Sequence, residues 1–366
     1  MTDTKALFRP FSLGSMSLSN RIVMAPMTRS KSPGGIPGEP VVEYYRRRAA
    51  NAVGLIITEG TTVDRPGASF DPAIPNFHNP DSLAGWKKVV DAVHAEGGKI
   101  APQLWHVGLA RKPGTGPHPD APSDSPSGVL PNGKPVGEPM SAEDIADTIS
   151  AFAKAAKAAA EIGFDAIELH GAHGYLLDQF FWEGTNRRDD RFGGGLVERT
   201  TLVREIVKAV RAEIPADLPL ILRFSQWKQQ DYDAKLAQTP EELASFLGPL
   251  SDDGVDMFHA STRRFWLPEF EGSDLNLAGW TKKLTGKPSI TVGSVGLNSE
   301  FLGAFMGESS EAASLDSLME RLEKDEFDLV AVGRALINDP EWAAKVRDGR
   351  FDELSDFDAA KLKELV

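Results

Sequence analysis

Eight short apolar runs, each followed by a stretch of helical pattern, divide this chain almost from end to end. They are Ile22–Met27, Gly54–Gly60, Lys99–Trp105, Phe164–His170, Pro219–Ser225, Val255–Ser261, Ser289–Val295 and Phe327–Gly333. Each is short, bounded by Gly, Pro or polar residues, and continuously rather than alternately apolar. That is the pattern of a parallel strand covered on both faces. The intervening segments have helical signals. Ser141-Ala142-Glu143-Asp144 reads as a capping box ahead of Ile145, Ile149, Phe152 and Ala156, with Gly163 as a stop. Leu83, Trp86, Val90 and Val93 form a second stripe, closed by Gly97-Gly98. Eight βα units predict an α/β fold, a closed (β/α)8 TIM barrel; an open doubly wound sheet is the alternative. The 366 residues suit one such domain, 1–366, with two loop insertions: a Pro/Gly/Ser-rich stretch at 111–140 after the third run, and 303–326 between the last two.

Composition narrows the chemistry. Cysteine is absent, which excludes disulfides, thiolate metal sites, cysteine nucleophiles and iron–sulfur clusters. A net charge of −13 argues against nucleic acid and anionic membranes as partners. No apolar stretch approaches a membrane span and no signal pattern opens the chain, so a cytoplasmic protein is expected. Oligomeric state is not legible.

Barrel enzymes place their sites at the C-terminal ends of the strands. The last two ends, Gly293-Ser294 and Gly333-Arg334, fit a phosphate site: glycines admit close backbone approach and arginine supplies a clamp. Glycines that merely make turns would look the same. His170, His173 and Tyr175 form the strongest constellation. Two imidazoles can donate to one ligand oxygen, and a phenol can deliver a proton. A His-x-x-His metal site with a third ligand at His259 or Asp165 is the competing reading, and solvated loop histidines the bland one. Arg223, in mid-strand, needs an anionic partner: a bound ligand, or a rim carboxylate such as Glu59 or Asp165.

These segments together resemble the old yellow enzyme family of FMN-dependent ene-reductases, over nearly the whole chain. The matching stretches are Leu7–Phe11 with Ser19–Arg29, Gly54–Gly60, Gln103–His106, His170–Phe180, Asn186–Gly194 and Val332–Leu336. The resemblance implies non-covalent FMN, with Pro26, Met27 and Gly60 lining the ring system and Thr28 near its C4 carbonyl. Gln103 would meet the pyrimidine edge, Arg223 the N1 side, and Gly293, Ser294, Gly333 and Arg334 the phosphate. His170 and His173 would bind the substrate carbonyl, and Tyr175 would protonate the α-carbon. It further implies NADPH or NADH as hydride donor, an activated alkene (an α,β-unsaturated carbonyl or nitro compound) as acceptor, and ping-pong turnover. Arg263 and Arg264 are candidates for meeting a 2′-phosphate. A phosphate-binding barrel isomerase or aldolase, and a non-catalytic flavin-binding protein, are the alternatives. Four stretches depart from the family pattern: Trp182–Thr185, Phe224–Lys228, Arg263–Trp266, and a tail from Phe351 without tyrosine.

Overall fold

The computed structural model describes residues 2–299 and 309–365. Its first two strands, β1 (Phe11–Leu13) and β2 (Met16–Leu18), form an antiparallel hairpin. The next eight are β3 (Ile22–Met24), β4 (Leu55–Thr62), β5 (Lys99–Trp105), β6 (Ile167–His173), β7 (Leu220–Lys228), β8 (Met257–Ser261), β9 (Ser289–Val292) and β10 (Leu329–Val332). All eight pair in parallel and in chain order, and β10 closes on β3. Every expected run contributes one strand, and the open-sheet alternative is excluded.

Strand ends differ from the sequence reading in an instructive way. β6 and β7 each run three residues further than expected, to His173 and Lys228, because a bulge at Gly171/His173 lets their pairing continue past the barrel wall. The short edges of β9 and β10 end early, so Gly293 and Gly333 lie in the loops beyond them.

The long helix Ala142–Ile162 has the expected capping box. Ser141 accepts from the Asp144 N–H at 3.1 Å, and Asp144 accepts from the Ser141 N–H at 3.0 Å. Gly163 ends it in the left-handed conformation at φ 102°. In the helix Pro80–Ala95, Trp86, Val90 and Val93 face the core. Such stripes pack against the outer barrel wall in one continuous core. A second cluster fills the barrel interior with alternate residues such as Val23, Ala25, Leu55, Ile57, Ile290 and Val292, joined by Met16 and Leu18 of the hairpin. The hairpin lies at the N-terminal end, where Ser15 N–H donates to the Asp217 carbonyl at 2.8 Å, so it plugs the floor and leaves the opposite mouth for chemistry.

The 111–140 stretch has no long elements but is tied down. Buried Asp124 bonds His106 Nε2 at 2.8 Å and Arg65 at 3.2 Å, and Arg188 donates to the carbonyls of Pro126 and Met140. Of the 303–326 stretch, residues 303–308 lie outside the described residues; Asp316–Glu323 is a helix. Among the described residues no helix is long and apolar enough to cross a membrane.

Candidate active site

The mouth of the barrel gathers most of the residues expected there, in two adjoining groups. The first is built on β5 to β8. Gln103 points into the barrel end and donates through Nε2 to Glu168 at 2.7 Å. Glu168 in turn bonds His259 Nδ1 at 2.7 Å, and all three side chains are buried. A carboxylate inside an apolar strand costs several kcal/mol unless such partners surround it. Arg223 is 6% exposed and donates from Nη2 to Ser261 Oγ at 3.3 Å. Neither Glu59 nor Asp165 is its partner. Glu59 is held by the backbone N–H groups of Arg29 and Ser30, and Asp165 by His94, Lys99 and the Ile100 N–H at the start of β5. This also removes Asp165 from any metal site with His170 and His173. Among the described residues no group of three or more His, Asp or Glu side chains is disposed to hold a metal ion.

His170 and His173 lie edge to face, 5.2 Å between ring centroids, and Tyr175 stands 5.1 Å from His170. Trp105 completes the cluster, stacked 6.0 Å from His170 and edge-on to Tyr175 at 4.8 Å. His173 adopts φ 66°, a conformation few non-glycine residues hold without support. The support comes from β7. Ser225 Oγ accepts from the His173 N–H at 3.0 Å, and Trp227 packs on its ring at 4.6 Å. Beneath, Lys228 Nζ meets Asp178 Oδ1 at 2.7 Å with neither side chain exposed, while Asp178 Oδ2 accepts from the Gly174 N–H at 2.7 Å. Burial, and then the neighbouring Arg223 charge, hold both imidazoles well below the usual histidine range. They are therefore neutral at neutral pH, each with one N–H to offer. Burial raises the Tyr175 phenol, partly offset by Gln229 Nε2, which donates to its oxygen at 3.2 Å; the group keeps its proton.

The second group lies at β9, β10 and β3. Arg334 donates to Ser294 Oγ at 3.4 Å and to the Ser299 carbonyl. Gly293 is at φ 141°, and a side chain there would strike the Thr262 carbonyl at 2.7 Å and the Arg264 nitrogen at 2.9 Å. Its glycine thus serves the close approach of the loop after β8. At Gly333 a Cβ would make only ordinary contacts, with the Met27 sulfur at 3.5 Å and the Ala25 Cβ at 3.9 Å. Gly60 has a different cause: a Cβ would collide with the Trp105 ring at 2.3 Å. Pro26 and Met27 are half-buried and Thr28 is exposed on the loop after β3. Arg263 and Arg264 line a cavity of about 280 Å³ beside Ser261, where Arg263 stacks over Tyr232 at 5.2 Å.

Buried polar atoms without partners mark this mouth as a place for a polar ligand. His170 Nδ1, Arg223 Nε, His259 Nε2 and Trp105 Nε1 are buried without a partner, one on each of four neighbouring strands. Orphan polar atoms concentrated at one barrel end call for a bound partner. The sequence singled out neither Glu168 nor Ser261 for a role, nor Trp227. A glutamate inside an apolar run was the available signal for Glu168, and a place at a strand's C-terminal end the one for Ser261, though only folding brings it to His173.

Known proteins resemble this chain over nearly its whole length. Residues 6–353 match the model of the NADH:flavin oxidoreductase / NADH oxidase family. The chain is 33% identical over 357 residues to 12-oxophytodienoate reductase 7 of Oryza sativa subsp. japonica, covering 93% of this chain and 87% of that protein. It is 34% identical to flavin oxidoreductase hxnT of Emericella nidulans, covering 95% and 92%. The structure of morphinone reductase in complex with tetrahydroNAD superimposes with a TM-score of 0.80 at 29% identity, over 97% of this chain and 93% of that one. The family-model match, the identities and the shared fold show that this chain belongs to the old yellow enzyme family of FMN-dependent oxidoreductases.

Proposed function

We propose that the mouth of this barrel is an ene-reductase site in which His170, His173 and Tyr175 act on an activated alkene beside FMN. As a member of this family the chain is an NAD(P)H:flavin oxidoreductase. When bound, FMN would supply two-electron hydride chemistry between the nicotinamide and the alkene. The chain's own residues bind, orient and neutralise. Gln103, fixed by Glu168, presents its remaining amide valences to the flavin's pyrimidine edge. Arg223 offers its orphan Nε–H toward negative charge on the ring. Pro26, Met27, Thr28 and Gly60 would border the ring, and Gly293, Ser294, Gly333 and Arg334 would hold the phosphate. His170 and His173 donate to the carbonyl or nitro oxygen as charge gathers on it, and Tyr175 supplies the proton to the α-carbon. The whole described chain serves this one domain, with 111–140 as a tethered rim over the mouth.

The observation that carries the reading is the pair of imidazoles, 5.2 Å between ring centroids, beside a buried guanidinium whose Nε has no partner. A neutral N–H strengthens its bond as the ligand oxygen becomes negative, which favours the transition state over the ground state. The test is anaerobic: NADPH should bleach the yellow protein, and cyclohexenone should restore the colour. A protein that bleaches but regains no colour with enones or nitroalkenes contradicts the reading. Tyr175→Phe should retain FMN while slowing product formation about tenfold or more; product formation at the wild-type rate removes Tyr175 from its role.

A further inference from the structure

Ser261 ends β8 between two groups of the site and touches both. Its hydroxyl oxygen lies 3.3 Å from Arg223 Nη2 and 2.8 Å from His173 Nε2, and the residue is 2% exposed. Arginine can only donate, so the Ser261 oxygen accepts from it. The hydroxyl hydrogen then needs an acceptor, and among the described residues His173 Nε2 is the one in reach. If His173 donated instead, the buried hydroxyl hydrogen would be stranded, which is costly. Trp227 holds the arrangement: its Nε1 donates to the Ser261 carbonyl at 3.1 Å while its ring packs on His173.

We infer that Ser261 is a positioning residue that fixes His173 as the Nδ1–H tautomer and joins it to Arg223, so that donors run in series from guanidinium to hydroxyl to imidazole to ligand oxygen. The inference rests on the reading of His173 as an oxyanion donor. Hydrogen bonds in series polarise one another, so part of the Arg223 charge reaches the substrate oxygen through a neutral ring. No proton is transferred along the chain; each hydrogen stays on its heavy atom.

Nitrogen-15 NMR of the FMN-loaded protein with labelled histidine reads the tautomer directly. His173 should show a protonated Nδ1 and an unprotonated Nε2, and Ser261→Ala should shift it toward a mixture. In rapid-mixing experiments normalised to bound FMN, Ser261→Ala should slow reoxidation by cyclohexenone about tenfold, and Ser261→Thr, which keeps the hydroxyl, should restore most of it. A protonated Nε2 in the wild type overturns the inference, as does a Ser261→Ala reoxidation rate within about twofold of wild type. His173→Ala separates the two levels. If it slows reoxidation and Ser261→Ala does not, only the relay fails; if His173→Ala has no effect, the oxyanion reading itself fails.

Discussion

A carboxylate that loses its water on folding survives as an ion only if other donors replace that water, and Asp124 has two. Burial alone would raise it, but His106 Nε2 and Arg65 more than offset this and bring it down to about 2. Its folded value lies below the unfolded one, so its contribution is present above pH ~4 and lost as pH falls toward ~2. Asp124→Asn should therefore destabilise the protein at neutral pH by up to about 2 kcal/mol, with the difference from wild type shrinking in acid, as read by urea unfolding. Arg334 tests the phosphate end. Arg334→Ala should weaken FMN retention on dilution about tenfold or more, followed by the fluorescence of released flavin; full retention would remove Arg334 from the phosphate site.

Between elements, the joint of β6 and β7 carries the site. The bulge at Gly171/His173 re-aims His173, and the buried Lys228–Asp178 pair pins the loop that follows. Burial pushes Asp178 up and Lys228 down, each partly restored by the other. Removing one partner strands a charge: Lys228→Met should cost about 3–5 kcal/mol, while adding Asp178→Leu should recover much of it, as measured by chemical unfolding. Equal costs for the single and double changes would contradict that coupling. The strands themselves were legible because parallel strands bury both faces and read as unbroken apolar runs. The Ala142–Ile162 helix was legible through its cap and stop residues. The β1–β2 hairpin was missed although Leu13-Gly14-Ser15 is a turn signal between short alternating runs, because three-residue strands carry too little periodicity. His170, His173, Tyr175 and Arg223 stand at strand ends, where position alone suggests chemistry. Glu168, Ser261 and Trp227 acquire meaning only from partners 34 to 91 residues away in sequence, which no local pattern encodes.

For the molecule as a whole, floor and mouth have opposite demands. The hairpin and interior aliphatic layers make the floor dry and rigid, while the mouth gathers buried polar atoms, a positive-φ histidine and a buried acid. Glu59 shows what the mouth costs. Burial raises it to about 7, against the opposing pull of the Arg29 and Ser30 N–H groups. Because the folded value lies above the unfolded one, stability is greatest below pH ~4.5 and falls as pH rises through ~7, by up to about 3 kcal/mol from this group. Glu59→Gln should flatten that part of the pH profile of unfolding; an unchanged slope between pH 5 and 8, roughly the span in question, would assign the acid elsewhere.

The central claim is that paired neutral imidazoles absorb charge on a ligand oxygen above a bound flavin, and rapid mixing of the pre-reduced His170→Ala protein with cyclohexenone tests it most directly. The account predicts a protein that is still yellow when oxidised and still holds FMN, but whose reoxidation by the enone is slowed about 10²-fold or more. Reoxidation at the wild-type rate would contradict it.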